Sequence, residues 1–148
     1  MPFARVNGTM LYYREAGEGR LALFVHGFPL DHSVWLDQLA GLGHVRRCVA
    51  VDLRGFGRSD PITETSLSME VMADDVAGLI DALGADQADI VGISMGGYVA
   101  LALWELRPEL VRDVLRFAER EYPVVRQTPE QVRSAAAGRA RLARRGGG

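Results

Sequence analysis

Hydrophobic positions fall into two patterns along this chain: short apolar runs, and apolar residues at helical spacing. The runs occupy 21–25, 47–51 and 88–91. Runs of this length are typical of strands buried on both faces of a parallel sheet. Helical spacing predicts a helix over 68–83. Capping residues predict another from about Val34 to Leu42, and the apolar stretch from Tyr98 to Leu106 predicts a buried helix. Strands alternating with helices indicate an α/β fold, a mostly parallel sheet with helices on both faces.

Turn and cap residues divide these elements. Asn7-Gly8 separates two short runs, Phe3 to Val6 and Thr9 to Arg14, and predicts an N-terminal hairpin because both turn residues need positive φ. We expect Ser33 to cap the first helix, and Gly43 and Gly84 to end the first and second.

The second helix carries its acidic residues away from its apolar face. These are Glu70, Asp74, Asp75 and Asp81. Adjacent acids on a helix point in different directions, so we expect a solvated face there and no metal site. Beyond Leu110 the pattern weakens, and Val111 to Arg120 fits a strand or a helix.

Composition narrows the classes of protein. The chain has 148 residues, 48% hydrophobic and 24% charged, which fits one soluble domain. The net charge of -2 divides into -7 over 1–111 and +5 over 112–148. All 17 basic residues are arginine, which we interpret as coding bias, so no nucleic-acid partner is expected. With no signal-peptide layout, no membrane span and only a buried Cys48, we expect a cytoplasmic protein.

The strongest chemical signal is Gly92-x-Ser94-x-Gly96, between a predicted strand and a predicted helix. A sharp turn at this point presents the Ser94 hydroxyl at the edge of the sheet. Strand and helix then come so close that side chains at 92 and 96 would collide, and glycine removes the clash. Ser94 is therefore the candidate nucleophile.

A second loop, His26-Gly27-Phe28-Pro29, follows the first predicted parallel strand. Acyl transfer builds negative charge on the carbonyl oxygen, and two backbone N–H groups stabilise it by a few kcal/mol. The Met95 N–H supplies one and the Phe28 N–H the other, with Gly27 bending the backbone toward the site. We expect both N–H groups to converge near the Ser94 hydroxyl.

Together these motifs resemble the α/β-hydrolase fold family. The resemblance is carried by residues 26–29, Trp35, 52–59 and 92–97 and covers about 1–110. Within the family, Ser94-Met95-Gly96-Gly97 is similar to cofactor-free esterases, enol-lactonases and perhydrolases. The resemblance implies that Ser94 is the nucleophile and that Phe28 and Met95 form the oxyanion hole. It also implies that His26 and 52–59 are structural supports and that no cofactor or metal is needed.

The chain departs from the family after this region. The family's triad runs Ser, then Asp or Glu, then His, yet His26, His32 and His44 all precede Ser94. We expect His32 and His44 to be solvent-exposed. Residues 111–148 form a divergent, Arg-rich and partly disordered segment, and we expect 134–148 not to pack on the core.

Three functions follow from the residues. The first is a serine hydrolase acting on small ester, lactone or related acyl substrates, whose chain lacks the triad acid and histidine and is weakly active or inactive alone. The second is a non-catalytic hydrolase-like remnant. The third is a C–C hydrolase or perhydrolase using the same serine. In each case the unfinished sheet edge predicts self-association.

Overall fold

The computed structural model describes residues 2–63, 67–117 and 125–127. Its strands are β1 Phe3–Val6, β2 Thr9–Ala16, β3 Leu21–Val25, β4 Arg47–Val51, β5 Ala88–Ile93, β6 Val111–Phe117 and β7 Val125–Gln127. Its α-helices are α1 Leu36–Leu42, α2 Met69–Ala82 and α3 Met95–Leu106. A 3₁₀ turn, His32–Trp35, leads into α1.

The described strands form one mixed sheet in the order β1-β2-β4-β3-β5-β6-β7. The central strands β4, β3, β5 and β6 are mutually parallel. The hairpin of β1 and β2 adds antiparallel strands at one side, and β7 pairs antiparallel with β6 at the other. This confirms the predicted α/β class, with the hairpin preceding a mostly parallel sheet.

Alternation along the central strands divides the core into two layers. On β3, Leu21, Leu23 and Val25 face one layer, whereas Ala22 and Phe24 face the other. The larger layer lies under α2 and α3, and the smaller layer lies under α1 with Trp35. Both faces of the parallel strands are thus apolar, as the continuous runs predicted.

Two helix starts differ from their predictions. Asp31, not Ser33, caps the first helical segment, its carboxylate accepting from the Ser33 N–H at 2.8 Å. The third helix begins at Met95, directly after the turn, instead of at Tyr98. Sequence periodicity missed this first turn because Gly96 and Gly97 carry no apolar side chain. Of the ambiguous segment Val111 to Arg120, the described residues 111–117 are a strand, β6, while 134–148 lies outside the described residues.

The predicted solvated face of α2 is wrong at Asp75. This carboxylate is fully buried and receives two 2.8 Å hydrogen bonds from the Arg54 guanidinium. Asn7 Nδ2, in the hairpin turn, donates to the same carboxylate at 3.1 Å. The pair was not predictable from helix periodicity because its partner lies outside the helix, in the loop after β4.

Asp74, one residue before, is exposed, as expected. Cys48 is completely buried, also as expected, and burial raises the pKa of its thiol. Among the described helices, none has the length and apolar character needed to cross a membrane.

Candidate active site

Three loops meet at the carboxyl edge of the parallel strands, where α/β sheets place their sites. The first two follow β3 and β4 and contain residues 26–30 and 52–59, and the third is the turn at Ser94 between β5 and α3. Because β3 pairs with both β4 and β5, its loop lies between the other two. The sequence motifs therefore converge through strand order, although they are far apart in the chain.

Ser94 occupies a strained turn between β5 and α3. Its φ of 50° and ψ of −115° lie in a region that non-glycine residues rarely adopt. Such strain persists only where the surrounding structure enforces it, and it is characteristic of functional sites. Ser94 is half-buried, so part of the residue remains accessible.

Glycines at 92 and 96 make the turn possible. A Cβ at Gly92 would lie 2.4 Å from the Gly96 carbonyl oxygen. A Cβ at Gly96 would lie 2.1 Å from the Val25 carbonyl oxygen. The collisions expected from the sequence motif are thus present, and the second shows that α3 begins directly against the end of β3.

The loop after β3 also approaches Ser94. A Cβ at Gly27 would lie 3.3 Å from Ser94 Cβ and 3.1 Å from the Ile93 carbonyl oxygen. Residue 27 therefore packs against the serine, and Phe28 is its immediate neighbour in sequence. The Phe28 ring itself is exposed and meets the Phe56 ring edge-on, with centroids 5.9 Å apart. The convergence of the Phe28 and Met95 N–H groups remains a prediction.

We predict opposite effects of alanine at two glycines. Gly96→Ala should lower the free energy of unfolding by about 1–3 kcal/mol or more, because its Cβ meets backbone that cannot rotate away. Gly41→Ala, in α1 with open space around it, should raise it by roughly 0.5–1 kcal/mol. Urea denaturation of both variants checks this, and equal effects at the two positions would contradict the tight approach at Gly96.

His26 joins the first loop to the second. The Leu53 N–H donates to His26 Nε2 at 3.0 Å, so Nε2 is an acceptor, and Nδ1 then donates to the Gly27 carbonyl oxygen at 2.9 Å. The ring is fully buried and packs edge-on against Phe56. Burial lowers the pKa of His26 below 6.5, against a smaller opposing effect of the hydrogen bond to Gly27. Both ring nitrogens are occupied by this structural role.

This lowered pKa predicts acid sensitivity. Unfolded His26 binds a proton near pH 6.5, whereas folded His26 binds one only at lower pH. As pH falls below 6.5, protons therefore bind the unfolded chain preferentially, and the free energy of unfolding decreases from its full value above pH 6.5. We expect the free energy of unfolding to decline from about pH 7.5 to about pH 5.5, where the carboxylates stay ionised. In His26→Gln the slope should flatten, and in the exposed control His44→Gln it should not. An unchanged slope in His26→Gln would contradict the assignment.

The second loop is organised by Asp52, whose carboxylate is fully buried. One oxygen accepts from the His32 N–H at 2.6 Å and lies 2.9 Å from His32 Nδ1. The other accepts from the Arg58 N–H at 2.8 Å. Gly57, with φ of 53°, passes so close that a Cβ there would lie 2.2 Å from the carboxylate. These contacts agree with a supporting role for 52–59.

The expected solvent exposure of His32 is therefore wrong. Its side chain is 14% exposed and packs against the Tyr12 ring at 5.0 Å. Asp31, His32 and Asp52 place one potential ligand atom each within 4.8 Å of the others. Backbone N–H groups already bind both carboxylates, so hydrogen bonding accounts for the cluster. No local signal in the sequence pairs His32 with Asp52, which follows the neighbouring strand.

His44 is exposed, as predicted, and lies before the amino end of β4. That edge of the parallel sheet is opposite the one that carries Ser94. Of the three histidines, His44 is thus on the wrong edge and His26 has both nitrogens engaged. Trp35 lies in the smaller core layer, tilted against Phe24 with centroids 5.2 Å apart.

The site is thus a strained serine between a parallel strand and a helix, flanked by two glycines and by the loop after the adjacent strand. Known proteins share this arrangement of sequence and fold. A family model described as the alpha/beta hydrolase fold matches residues 22–115. The chain belongs to the α/β-hydrolase fold family. Epoxide hydrolase 2 of Siraitia grosvenorii is 35% identical over 114 residues, 76% of this chain and 36% of that protein.

Two solved structures of α/β hydrolases are also similar. The thermophilic esterase of Thermogutta terrifontis superposes with a TM-score of 0.72 and 35% identity, over 97% of this chain and 51% of the esterase. Est816, described as an N-acyl homoserine lactone degrading enzyme, gives a TM-score of 0.75 and 34% identity over 79% of this chain and 45% of its own. The chain spans about a third of the length of the curated relatives it matches.

Proposed function

We propose that this chain carries the nucleophile half of a serine hydrolase for small ester, lactone or related acyl substrates. Ser94 is the nucleophile, and the Phe28 and Met95 N–H groups form the oxyanion hole. The observation that carries the proposal is the strained backbone of Ser94, held by Gly92 and Gly96 at the carboxyl edge of the sheet. The similar proteins include an esterase and a lactone-degrading enzyme as well as epoxide hydrolases, so the choice of a carbonyl substrate rests on the serine itself.

The surroundings of Ser94 suit attack on a carbonyl. Met95 is the first residue of α3, so its N–H has no acceptor within the helix. The positive end of the helix dipole lies beside the reacting centre. Gly27 packs against Ser94 on the other side and brings Phe28 next to it. These groups stabilise the negative charge that develops on the carbonyl oxygen.

In the proposed reaction, Ser94 Oγ bonds to the carbonyl carbon and its proton passes to a base. Collapse of the tetrahedral intermediate expels the alcohol, which takes up that proton, and water later releases the acid. A serine hydroxyl is a weak nucleophile without such a base. His26 and His44 are not placed to serve, and no histidine follows Ser94. His32 is engaged with Asp52, so we propose that the base comes from outside residues 1–148.

Exogenous imidazole can test this assignment by replacing the missing base. We expect imidazole to accelerate hydrolysis of 4-nitrophenyl acetate by the wild-type chain above the same mixture containing Ser94→Ala, and mass spectrometry to find the acetyl group on Ser94. Ser94→Ala subtracts the hydrolysis that imidazole catalyses in solution. Rates that are equal with both proteins, or acetylation at another residue, would reject Ser94 as the nucleophile.

The sequence also supports a non-catalytic remnant as the second candidate. The specific observation is again the absence of a histidine after Ser94. The two candidates differ in one measurable property. Imidazole accelerates Ser94-dependent ester hydrolysis if the chain carries a serine nucleophile, and it does not if the chain is a remnant. We place either protein in the cytoplasm, because the only cysteine is a buried thiol.

A further inference from the structure

The only asparagine among the 148 residues, Asn7, directly precedes a glycine. Asn7 and Gly8 form the two-residue turn between β1 and β2, and both have positive φ, 47° and 75°. Both residues are exposed, so water reaches the turn. A Cβ added at Gly8 would meet no described atom within 4 Å, so packing does not shield the main chain there. The turn therefore combines a reactive side-chain amide with an accessible main-chain nitrogen.

The covalent reaction open to this pair needs only water as a co-reactant. The Gly8 amide nitrogen attacks Asn7 Cγ, and glycine has no Cβ to hinder the approach. A C–N bond forms, the bond from Cγ to Nδ2 breaks, and Nδ2 leaves as ammonia with the proton that the Gly8 nitrogen gives up. Water then opens the cyclic imide at either carbonyl. The product is aspartate, or isoaspartate with an extra carbon in the main chain, so a neutral amide becomes a carboxylate.

In the folded protein, the Asn7 side chain holds the hairpin turn against α2. Its Nδ2 donates to Asp74 Oδ2 and to Asp75 Oδ1, both at 3.1 Å. The Asp75 carboxylate also bonds the buried Arg54 guanidinium, whose Nη2 donates to the Asn7 carbonyl oxygen at 3.4 Å. Because the reaction expels Nδ2, both side-chain hydrogen bonds must break before it is complete. Molecules in which the turn has opened locally therefore react fastest.

The product cannot restore these contacts. A carboxylate at position 7 has no N–H to donate, and it meets the like charges of Asp74 and Asp75. Isoaspartate also displaces the carbonyl oxygen to which Arg54 donates. A brief opening of the hairpin turn thus becomes a permanent one.

We propose that Asn7 is a site of spontaneous deamidation, and that the carboxylate it produces releases the turn between β1 and β2 from α2. The inference does not depend on Ser94, because it rests on the hairpin, α2 and Arg54. It bears on the candidate site nevertheless. Arg54 belongs to the loop of residues 52–59, so release of the turn removes one contact that fixes this loop.

Mass spectrometry of the tryptic peptide 6–14 measures the reaction directly. The purified chain is incubated in mildly alkaline buffer, folded or unfolded in urea, and the peptide that has lost ammonia and gained water is quantified over time. We expect conversion to be about tenfold slower in the folded chain, the factor that one hydrogen bond to a charged group provides. Gly8→Ala should slow conversion in urea, because its methyl group hinders the attack. No conversion of the unfolded wild-type chain, or equal rates in both states, overturns the proposal.

Designed variants separate the charge of the product from the loss of the amide. Asn7→Asp copies the product, whereas Asn7→Gly removes the amide without adding charge and still suits a turn with positive φ. We expect both variants to lower the urea midpoint, and Asn7→Asp to lower it more. Equal midpoints for the two variants would overturn the proposal.

A double-mutant cycle with Asp74 locates the repulsion. Asn7→Asp should lower the urea midpoint less in the Asp74→Asn background than in the wild-type chain, because the amide at position 74 can donate to the carboxylate at position 7. A purely structural role of the asparagine would give the same loss in both backgrounds, and that result would also overturn the proposal.

Discussion

The purified 148-residue chain is expected to hydrolyse a short-chain aryl ester far below ordinary enzymatic rates. A protein that has lost its triad retains roughly 10³–10⁴-fold over water from the oxyanion hole and binding. A typical enzyme exceeds the uncatalysed reaction by about 10⁶-fold or more. The reason for the deficit is that no histidine follows Ser94 and that His26 uses both ring nitrogens in structural bonds.

A short-chain 4-nitrophenyl ester and Ser94→Ala as the blank suffice for this measurement. Ordinary turnover that disappears in Ser94→Ala would show that the chain contains a base after all. His32 would then be the first residue to test, because it lies on the same edge of the sheet as Ser94 and bonds Asp52. His32→Gln would abolish the turnover in that case, and His44→Gln would leave it unchanged.

The largest loss of stability is expected from Asp75→Ala. It leaves the Arg54 guanidinium buried without its counter-ion, and removing one partner of a buried ion pair costs about 3–5 kcal/mol. Urea denaturation of the variant measures this, and Asp75→Asn supplies a milder version if the alanine protein does not fold.

Two controls isolate the buried charge. Asp74→Ala, at the exposed neighbour, should change stability by less than about 0.5 kcal/mol. The double variant Arg54→Met with Asp75→Leu should recover much of the loss, because it removes both charges. If Asp75→Ala is no more harmful than Asp74→Ala, the buried pair contributes nothing and this interpretation is wrong.

The sheet and the serine turn were predictable because their determinants are local. A strand covered on both faces needs an apolar run, as in Leu21–Val25. Gly92 is required by a contact with Gly96 inside the turn, and the short motif marks Gly96 too, although its own contact is with Val25 on the adjacent strand β3. The helix of 68–83 was predicted almost to its ends. Its cap is also local, since Ser68 accepts from the Val71 N–H at 3.1 Å.

Burial of polar residues was not predictable for the opposite reason. Asp75 and His32 have polar side chains, and each is removed from water by a partner on another element, Arg54 and Asp52. Their positions relative to the strands do not reveal those partners, which depend on strand order. The predicted cap of the first helical segment was also wrong, because Asp31 and Ser33 are both good caps and local sequence does not choose between them.

Strand order also has a consequence for how this chain acquires its structure. β3 lies between β4 and β5, and its second neighbour, β5, begins more than sixty residues after β3 ends. During synthesis, one edge of the most apolar strand therefore stays unpaired until β5 has emerged. Pairing of parallel strands over such sequence separations is slow, and until it is complete the unpaired strand edge can associate with other chains. We expect this protein to depend on chaperones that bind apolar segments during translation more than a helical bundle of its size would.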